Sequence, residues 1–412
     1  MQITDTADYE SFCAGRLTDP YPLFHRLQTE DPVHWCETWE CWVLTRYDDV
    51  QQAHLNPHLS SDKTRAMMAM LPEALCTSVD ALGQHLRQWV SHTDPPAHTR
   101  LRGLVSKAFV PRVIQTMRSR ITAVTGKLID AAIPNGRMEL IRDFAYPLPV
   151  TVIGELLGIP PDDRVQFQDW VEDMVAFVDG AASQRCNVAE RALSGLQELT
   201  SYFDQIITCK RTEPDDDLIS MLLALEADGD RFTDAEVLAM CVQILVGGHD
   251  TTTGLISNGI FALLRHPNEL ERLQAHPELI ETAVEEFLRF ESPAPRNTRI
   301  ATAATEIAGH EIAAGHVVAL MVGAANHDPQ QFPDPDRLDI GRRPNSHLAF
   351  GRGRHFCLGK PLARLEGQIA IAALLQRLPG LRLADEQMNT HSPWRQSTGL
   401  RLLESLPVTF AD

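Results

Sequence analysis

The alternation of apolar and polar residues along the chain changes period several times. Around residues 33–45 it is short: Val33-His34-Trp35 and Cys41-Trp42-Val43-Leu44-Thr45 flank the polar Glu37-Thr38-Trp39-Glu40. Two extended runs about a polar connector predict a small hairpin. The methionine-rich stretch Met67-Met68-Ala69-Met70-Leu71 carries no clear period. Such clusters fill irregular core gaps or line adaptable pockets, and both readings stay open. Asp94-Pro95-Pro96 predicts the start of a helix running through Leu104 towards Phe109, with Pro111 as a break. From 113 to 225 the period is helical, punctuated by Pro134-Asn135-Gly136, Pro147-Leu148-Pro149, Pro160-Pro161 and Gly180.

A long helix follows. Thr233-Asp234-Ala235-Glu236 is a capping box, in which the Thr hydroxyl and the Glu carboxylate satisfy end N–H groups reciprocally. The helical period then continues to Arg265-His266 and stops at Pro267. At about 1.5 Å per residue this is a rod on the order of 50 Å. Shorter helices are predicted over 269–274, 277–290 and 361–378, and short strands over 297–307, 311–312, 317–320 and 400–410. A polar, proline-rich loop covers 328–345. The layout is mainly α with a minor β component late in the chain.

Composition narrows the function classes. The 412 residues hold 37 Lys plus Arg against 55 Asp plus Glu, a formal charge of −18. That balance attracts neither nucleic acid nor an anionic membrane surface. The longest weakly polar run, 312–326, is too short to span a bilayer, and the polar, acidic start is neither signal peptide nor anchor. The eight cysteines are scattered without a CxxC pair, so zinc-ribbon and thioredoxin-type readings find no support. A reducing, cytoplasmic compartment is expected.

Four features carry chemistry. Phe350-Gly351-Arg352-Gly353-Arg354-His355-Phe356-Cys357-Leu358-Gly359 sets one cysteine in a glycine-rich loop just before a helix. A helix N-terminus favours the thiolate, so Cys357 is a candidate ligand or nucleophile, or else a packed core cysteine. Gly247-Gly248-His249-Asp250-Thr251-Thr252-Thr253 lies in the middle of the long helix, where each glycine costs about 1 kcal/mol relative to Ala. The helix is expected to kink or open there, unless the glycines simply pack against a neighbour. Glu286 and Arg289 sit at i,i+3, a spacing common in surface pairs. His98 and Arg102, at i,i+4, share a helix face that could grip an anion or merely be solvated.

The order of these features resembles the cytochromes P450. The cysteine loop, continued by Leu362-Ala363-Arg364 and Glu366, matches that family's haem-binding signature. Asp94-Pro95-Pro96 with His98-Thr99-Arg100-Leu101-Arg102, Asp19-Pro20-Tyr21-Pro22 and Phe332-Pro333-Asp334-Pro335-Asp336-Arg337 are similar to soluble bacterial members. The resemblance implies a mainly α fold, a triangular helical bundle with a long central helix across the haem and small β-sheets, with 1–412 as a single haem domain.

It implies haem b with Cys357 as the axial iron ligand, Phe350 shielding the sulfur, and Gly351, Gly353 and Gly359 letting the loop close on the porphyrin. His98, Arg102, Arg299 and His355 become propionate partners. Glu286, Arg289 and Arg337 become a structural salt-bridge triad. Asp250 and Thr251 become the acid–alcohol pair that delivers protons to the oxygen undergoing reduction. A substrate pocket is expected to draw on Met67, Met70, Phe177, Leu245, Val246, Pro295, Asn297 and Thr398.

The implied activity is insertion of one oxygen atom from O₂ into a hydrophobic small molecule: a secondary metabolite, terpenoid, steroid or fatty acyl chain. Electrons are expected from a separate ferredoxin and its reductase, because no flavin or iron–sulfur module is visible. Arg102, Lys107, Arg112, Arg352, Arg354 and Lys360 are candidates for a basic docking patch, and the protein is expected to act as a monomer. The alternatives are a peroxide-driven peroxygenase or NO reductase, and a non-catalytic haem sensor or recruitment protein.

Overall fold

In a computed structural model the chain is described over residues 3–69, 71–179, 185–227, 230–385 and 394–411. Met70, expected in the pocket, and Gly180, expected as a helix break, lie outside the described residues. The backbone groups into two compact units. One comprises 1–59, 118–149 and 250–412, and the other 60–117 and 150–249.

In the first unit the expected hairpin forms. Val33–Cys36 pairs antiparallel with Cys41–Leu44, matching Val33 with Leu44 and Cys36 with Cys41. Val317–Met321 adds in parallel to Cys41–Leu44, and Arg296–Ala301 adds antiparallel to Val317–Met321. The short Leu59–Ser60 strand stands at the outer edge of this five-stranded sheet. Period-two alternation sorts the side chains to opposite faces. Val33, Leu44, Ala301, Val318 and Leu320 enter one apolar cluster, whereas Cys36, Cys41, Val43, Ala319 and Met321 enter another. Both faces are covered, so these strands read as nearly continuous apolar runs. At the C-terminal end the expected strand shrinks to Pro407–Thr409, paired with Arg137–Glu139 and Arg382–Leu383.

The second unit is helical. The methionine-rich segment that lacked a period forms Thr64–Ala69, and Met68 packs against the Gly83 position of Asp80–Leu86. The helix opened by Asp94-Pro95-Pro96 spans Ala97–Val105 and stops short of Phe109. Pro111 starts the next helix, Pro111–Ala132, as suits a residue with fixed φ and no N–H to lose.

The long helix runs Asp234–Arg265, contributing 234–249 to the second unit and 250–265 to the first. Its capping box is in place: the Thr233 amide donates to Glu236 at 2.9 Å, and the Glu236 amide to the Thr233 hydroxyl at 3.3 Å. The expected interruption at 247–253 is absent, and all 32 residues are α-helical. Gly248 explains this difference by packing. A Cβ at Gly248 would lie 2.7 Å from Ile153, so the glycine admits a neighbour and does not break the turn. Among the described residues no helix is long and apolar enough to cross a membrane.

Candidate active site

Cys357 lies three residues before Lys360–Arg377, whose N-terminal cap is Gly359 with Pro361 in the first turn. The loop ahead of it folds back on itself: the Cys357 amide donates to the Phe350 carbonyl at 2.9 Å, and Phe356 to Gly353 at 3.1 Å. Gly351 and Gly353 adopt φ of +70° and +71°, the left-handed region that disfavours any Cβ. At Gly353 a Cβ would also come within about 3 Å of Leu55 and the His54 carbonyl. Gly359 has an ordinary φ of −77°, and a Cβ there would stand 4.0 Å from the cysteine sulfur.

Phe350 is fixed by charge. The Arg364 guanidinium lies 4.9 Å from its ring centroid and donates to both oxygens of Glu285, at 2.7 and 2.6 Å. His347, 5.9 Å from the same ring, also contacts Glu285. Burial alone would raise the Glu285 pKa, but its bonds to His347 and Arg364 outweigh that and hold it down to about 2. Glu285 was not singled out in the sequence; Arg364, five residues after Gly359 of the motif, was the signal that a partner was needed.

Glu286 and Arg289 are completely buried and joined by two 2.8 Å bonds. Arg289 also donates to the carbonyls of Asn326 and Pro335 at 2.8 Å. The expected third member needs correction. Arg337 is exposed and contributes only its carbonyl, which accepts from Arg289 at 3.4 Å. The guanidinium that pairs with Glu286 is that of Arg342, at 3.1 Å. The chain reverses over 339–342, with the Arg342 amide bonded to the Asp339 carbonyl, and this turn brings the later arginine inward. Asn345 and the Asp339 amide complete the carboxylate's donors. Asn326 then links this network to the cysteine loop, because its Oδ1 accepts from the Leu348 amide at 2.7 Å and its Nδ2 donates to Ser292 at 2.9 Å.

Arg299 sits on Arg296–Ala301, 8% exposed, and approaches His54 Nδ1 at 3.4 Å. Burial, and then the charge of Arg299, push the His54 pKa down to about 3, so its neutral Nδ1 can accept from the guanidinium. His54 Nε2 is buried without a hydrogen-bond partner in the protein. His54 was missed because it lies on Tyr47–Leu55, outside every motif. His355 closes the turn Gly353–His355.

Asp250 is 4% exposed and Thr251 half-buried on the long helix, in the same unit as the cysteine loop. His98, buried, and Arg102, half-buried, lie on Ala97–Val105 in the other unit. The pocket candidates divide likewise. Met67, Phe177, Leu245 and Val246 belong to the second unit, and Pro295, Asn297 and Thr398 to the first.

These residues fit an iron porphyrin. Among the described residues no cluster of three or more His, Cys, Asp or Glu could hold a bare metal ion, and Cys357 offers one thiol of the kind that ligates haem iron. The buried Arg299 and the orphaned His54 Nε2–H suit the carboxylates such a group carries.

Comparison with known proteins agrees. The model of the family described as Cytochrome P450 matches residues 77–397. The chain is 40% identical to Cytochrome P450 107B1 of Saccharopolyspora erythraea, over 99% of both chains. It is also 40% identical to Vitamin D(3) 25-hydroxylase of Pseudonocardia autotrophica, over 99% of this chain and 98% of that one. Among solved structures, P450BioI in complex with an acyl carrier protein ligated to hexadec-9Z-enoic acid superposes with a TM-score of 0.89 at 36% identity, covering 98% of this chain and all of that one. The chain therefore belongs to the cytochrome P450 family, and is a haem-thiolate monooxygenase whose cofactor is iron protoporphyrin IX.

Proposed function

We propose that the protein inserts one oxygen atom from O₂ into a hydrophobic small molecule of the secondary-metabolite, terpenoid, steroid or fatty-acyl classes, using electrons from a separate ferredoxin and its reductase. The observation that carries this reading is the acid–alcohol pair Asp250-Thr251, held on an unbroken helix in the same unit as the Cys357 loop. Peroxide-driven and non-catalytic haem proteins need no proton delivery at that point. The relatives' names lend support: one is a hydroxylase of vitamin D(3), and the BioI structure holds a carrier-bound acyl chain.

Cys357 would be the single protein ligand of the iron, with its thiolate favoured by the helix N-terminus that follows. Haem, when bound, supplies the iron at which dioxygen is activated. The rest falls to the chain, read as one haem domain over 1–412. Arg299, His355, His98 and Arg102 would hold the propionates. Asp250 would take protons from water, and the Thr251 hydroxyl would donate them to the substrate dioxygen. Phe350 keeps water from Sγ. Met67, Phe177, Leu245, Val246, Pro295, Asn297 and Thr398 line the substrate space, a mainly apolar set that selects by shape more than by hydrogen bonds.

Arg352 and Arg354 are exposed and Lys360 half-buried beside the loop, where they suit an acidic ferredoxin. A spin-state titration against free and carrier-bound members of the four classes tests the substrate reading, and is followed by turnover with ferredoxin and reductase. Faster turnover with peroxide than with the ferredoxin system would reverse the assignment.

A further inference from the structure

The sulfur atoms of Cys13 and Cys36 lie 3.7 Å apart. Cys13 ends the helix Ala7–Cys13 and Cys36 ends the strand Val33–Cys36, so the pair joins the N-terminal helix to the edge of the main sheet. A polar chain leads to them through an otherwise apolar cluster. Asp31 bonds His34 Nδ1 at 2.7 Å, and His34 Nε2 bonds the Tyr9 hydroxyl at 2.6 Å. Tyr9, Cys13 and Cys36 are packed in the same buried cluster. The Asp31 side chain is 47% exposed while that of His34 is 7% exposed, so the chain runs from solvent into the core. A cysteine that merely fills space needs no such relay.

We propose that Cys13 and Cys36 form a reversible redox site, oxidised to a disulfide by hydrogen peroxide and reduced again by thiols, with Tyr9, His34 and Asp31 carrying the proton away from Cys36. The Cys36 thiol gives its proton through the Tyr9 hydroxyl to His34 Nε2, and the imidazolium faces the Asp31 carboxylate. Cys36 sulfur attacks one peroxide oxygen, the O–O bond breaks, and hydroxide leaves with the relayed proton as water. Cys13 sulfur then attacks the sulfenic sulfur and its own proton leaves with that oxygen as a second water. Two thiols have lost two electrons and one peroxide has gained them.

The roles follow from the surroundings. The hydrogen bond from Cys13, against burial and aided by Tyr9, brings Cys36 down to about 6. The same bond, and then burial, push Cys13 well up. Cys36 shares its strand with His34, which makes it the attacking sulfur and Cys13 the resolving one. Cys41, across the ladder from Cys36, is pushed up to about 12 by burial and stays a thiol.

The site has a route to the substrate side. Gly15, two residues beyond Cys13, accepts the Ser397 amide at 3.1 Å, and its Cα faces Ser397 and Thr398 closely enough that a Cβ would meet them at about 3 Å. Fixing Cys13 to the sheet therefore stiffens the support of the turn that carries Thr398.

The test uses the haem-loaded enzyme as it stands. After a small excess of hydrogen peroxide, the remaining thiols are alkylated and the digest is mapped by mass. The expected product is a Cys13–Cys36 peptide pair, lighter by two hydrogens and separated by dithiothreitol. Amide exchange at Ser397 slows in the oxidised protein, and His34→Gln forms the bridge several-fold more slowly. Alkylation of both cysteines once peroxide is consumed, a Cys36–Cys41 bridge, or sulfinic acids in place of a bridge would overturn the site. An unchanged rate in His34→Gln would overturn the relay. Wild type carries the main result, so no variant has to fold for the outcome to count.

Discussion

The region around Cys357 and the helices that carry Met67, Phe177 and Leu245 are built on opposite principles. The first is fixed by charge: Glu285 and Glu286 each hold cationic partners at hydrogen-bond distance, and the glycines at φ near +70° leave the loop one path. In the second the charges stand at the surface, as in the Arg191–Asp173 pair, while Leu245 and Phe177 are buried apolar side chains. Charged networks tolerate few substitutions, because a buried ion without its partner costs several kcal/mol. Apolar walls tolerate many of similar volume. One region is therefore held to its residues by their partners, and the other can exchange side chains of similar volume.

The largest expected effect tests the charged side at its centre. Cys357→Ala should abolish the red-shifted ferrous-CO band and all turnover, and retention of either would remove the thiolate from its assigned place. The next compares two arginines five residues apart. Arg342→Ala strips a counter-ion from a fully buried carboxylate and should destabilise by about 3–5 kcal/mol. Arg337→Ala removes an exposed side chain and should stay within about 0.5 kcal/mol in a denaturant titration. Equal effects would return Arg337 to the ion-pair network.

A third test concerns Glu366, buried on Lys360–Arg377 and raised by burial to about 8 from an ordinary 4.5. Between those values the folded protein keeps a proton that the unfolded chain has lost. Stability should thus fall as pH rises from about 4.5 to about 8, by on the order of a few kcal/mol. Glu366→Gln should flatten that slope in melting curves. Glu285 works the other way: lowered to about 2, it contributes stability above 4.5 that is lost as pH falls towards 2. The smallest effect belongs to the apolar side. Phe177→Ala should leave the CO spectrum intact and change which ligands shift the spin state, with little change in turnover per bound substrate.

Legibility in the sequence followed distance along the chain instead of that divide. The cysteine loop was readable because left-handed glycines, a single thiol and a helix start fall within ten residues, and the capping box at Thr233 and Glu236 was readable because its partners are three residues apart. Arg342 was not, since its approach to Glu286 depends on a turn in a loop without period. His54 and Glu285 were not, since nothing local marks a side chain whose partner lies 245 or 79 residues away. The continuity of the long helix was misjudged because propensity alone weighs Gly248 as a weakness, whereas its contact with Ile153 makes it a fitting surface.

The Asn326 backbone carbonyl accepts from Arg289, its Nδ2 donates to Ser292, and its Oδ1 accepts from the Leu348 amide, which joins the end of the Glu286 helix to the cysteine loop. For anyone transplanting this chemistry, that makes the ten-residue cysteine loop inseparable from its surroundings. A graft carrying only the loop would keep the sequence and lose its datum. The smallest portable unit is the loop together with the Glu286 helix and the residue that holds both to one scale.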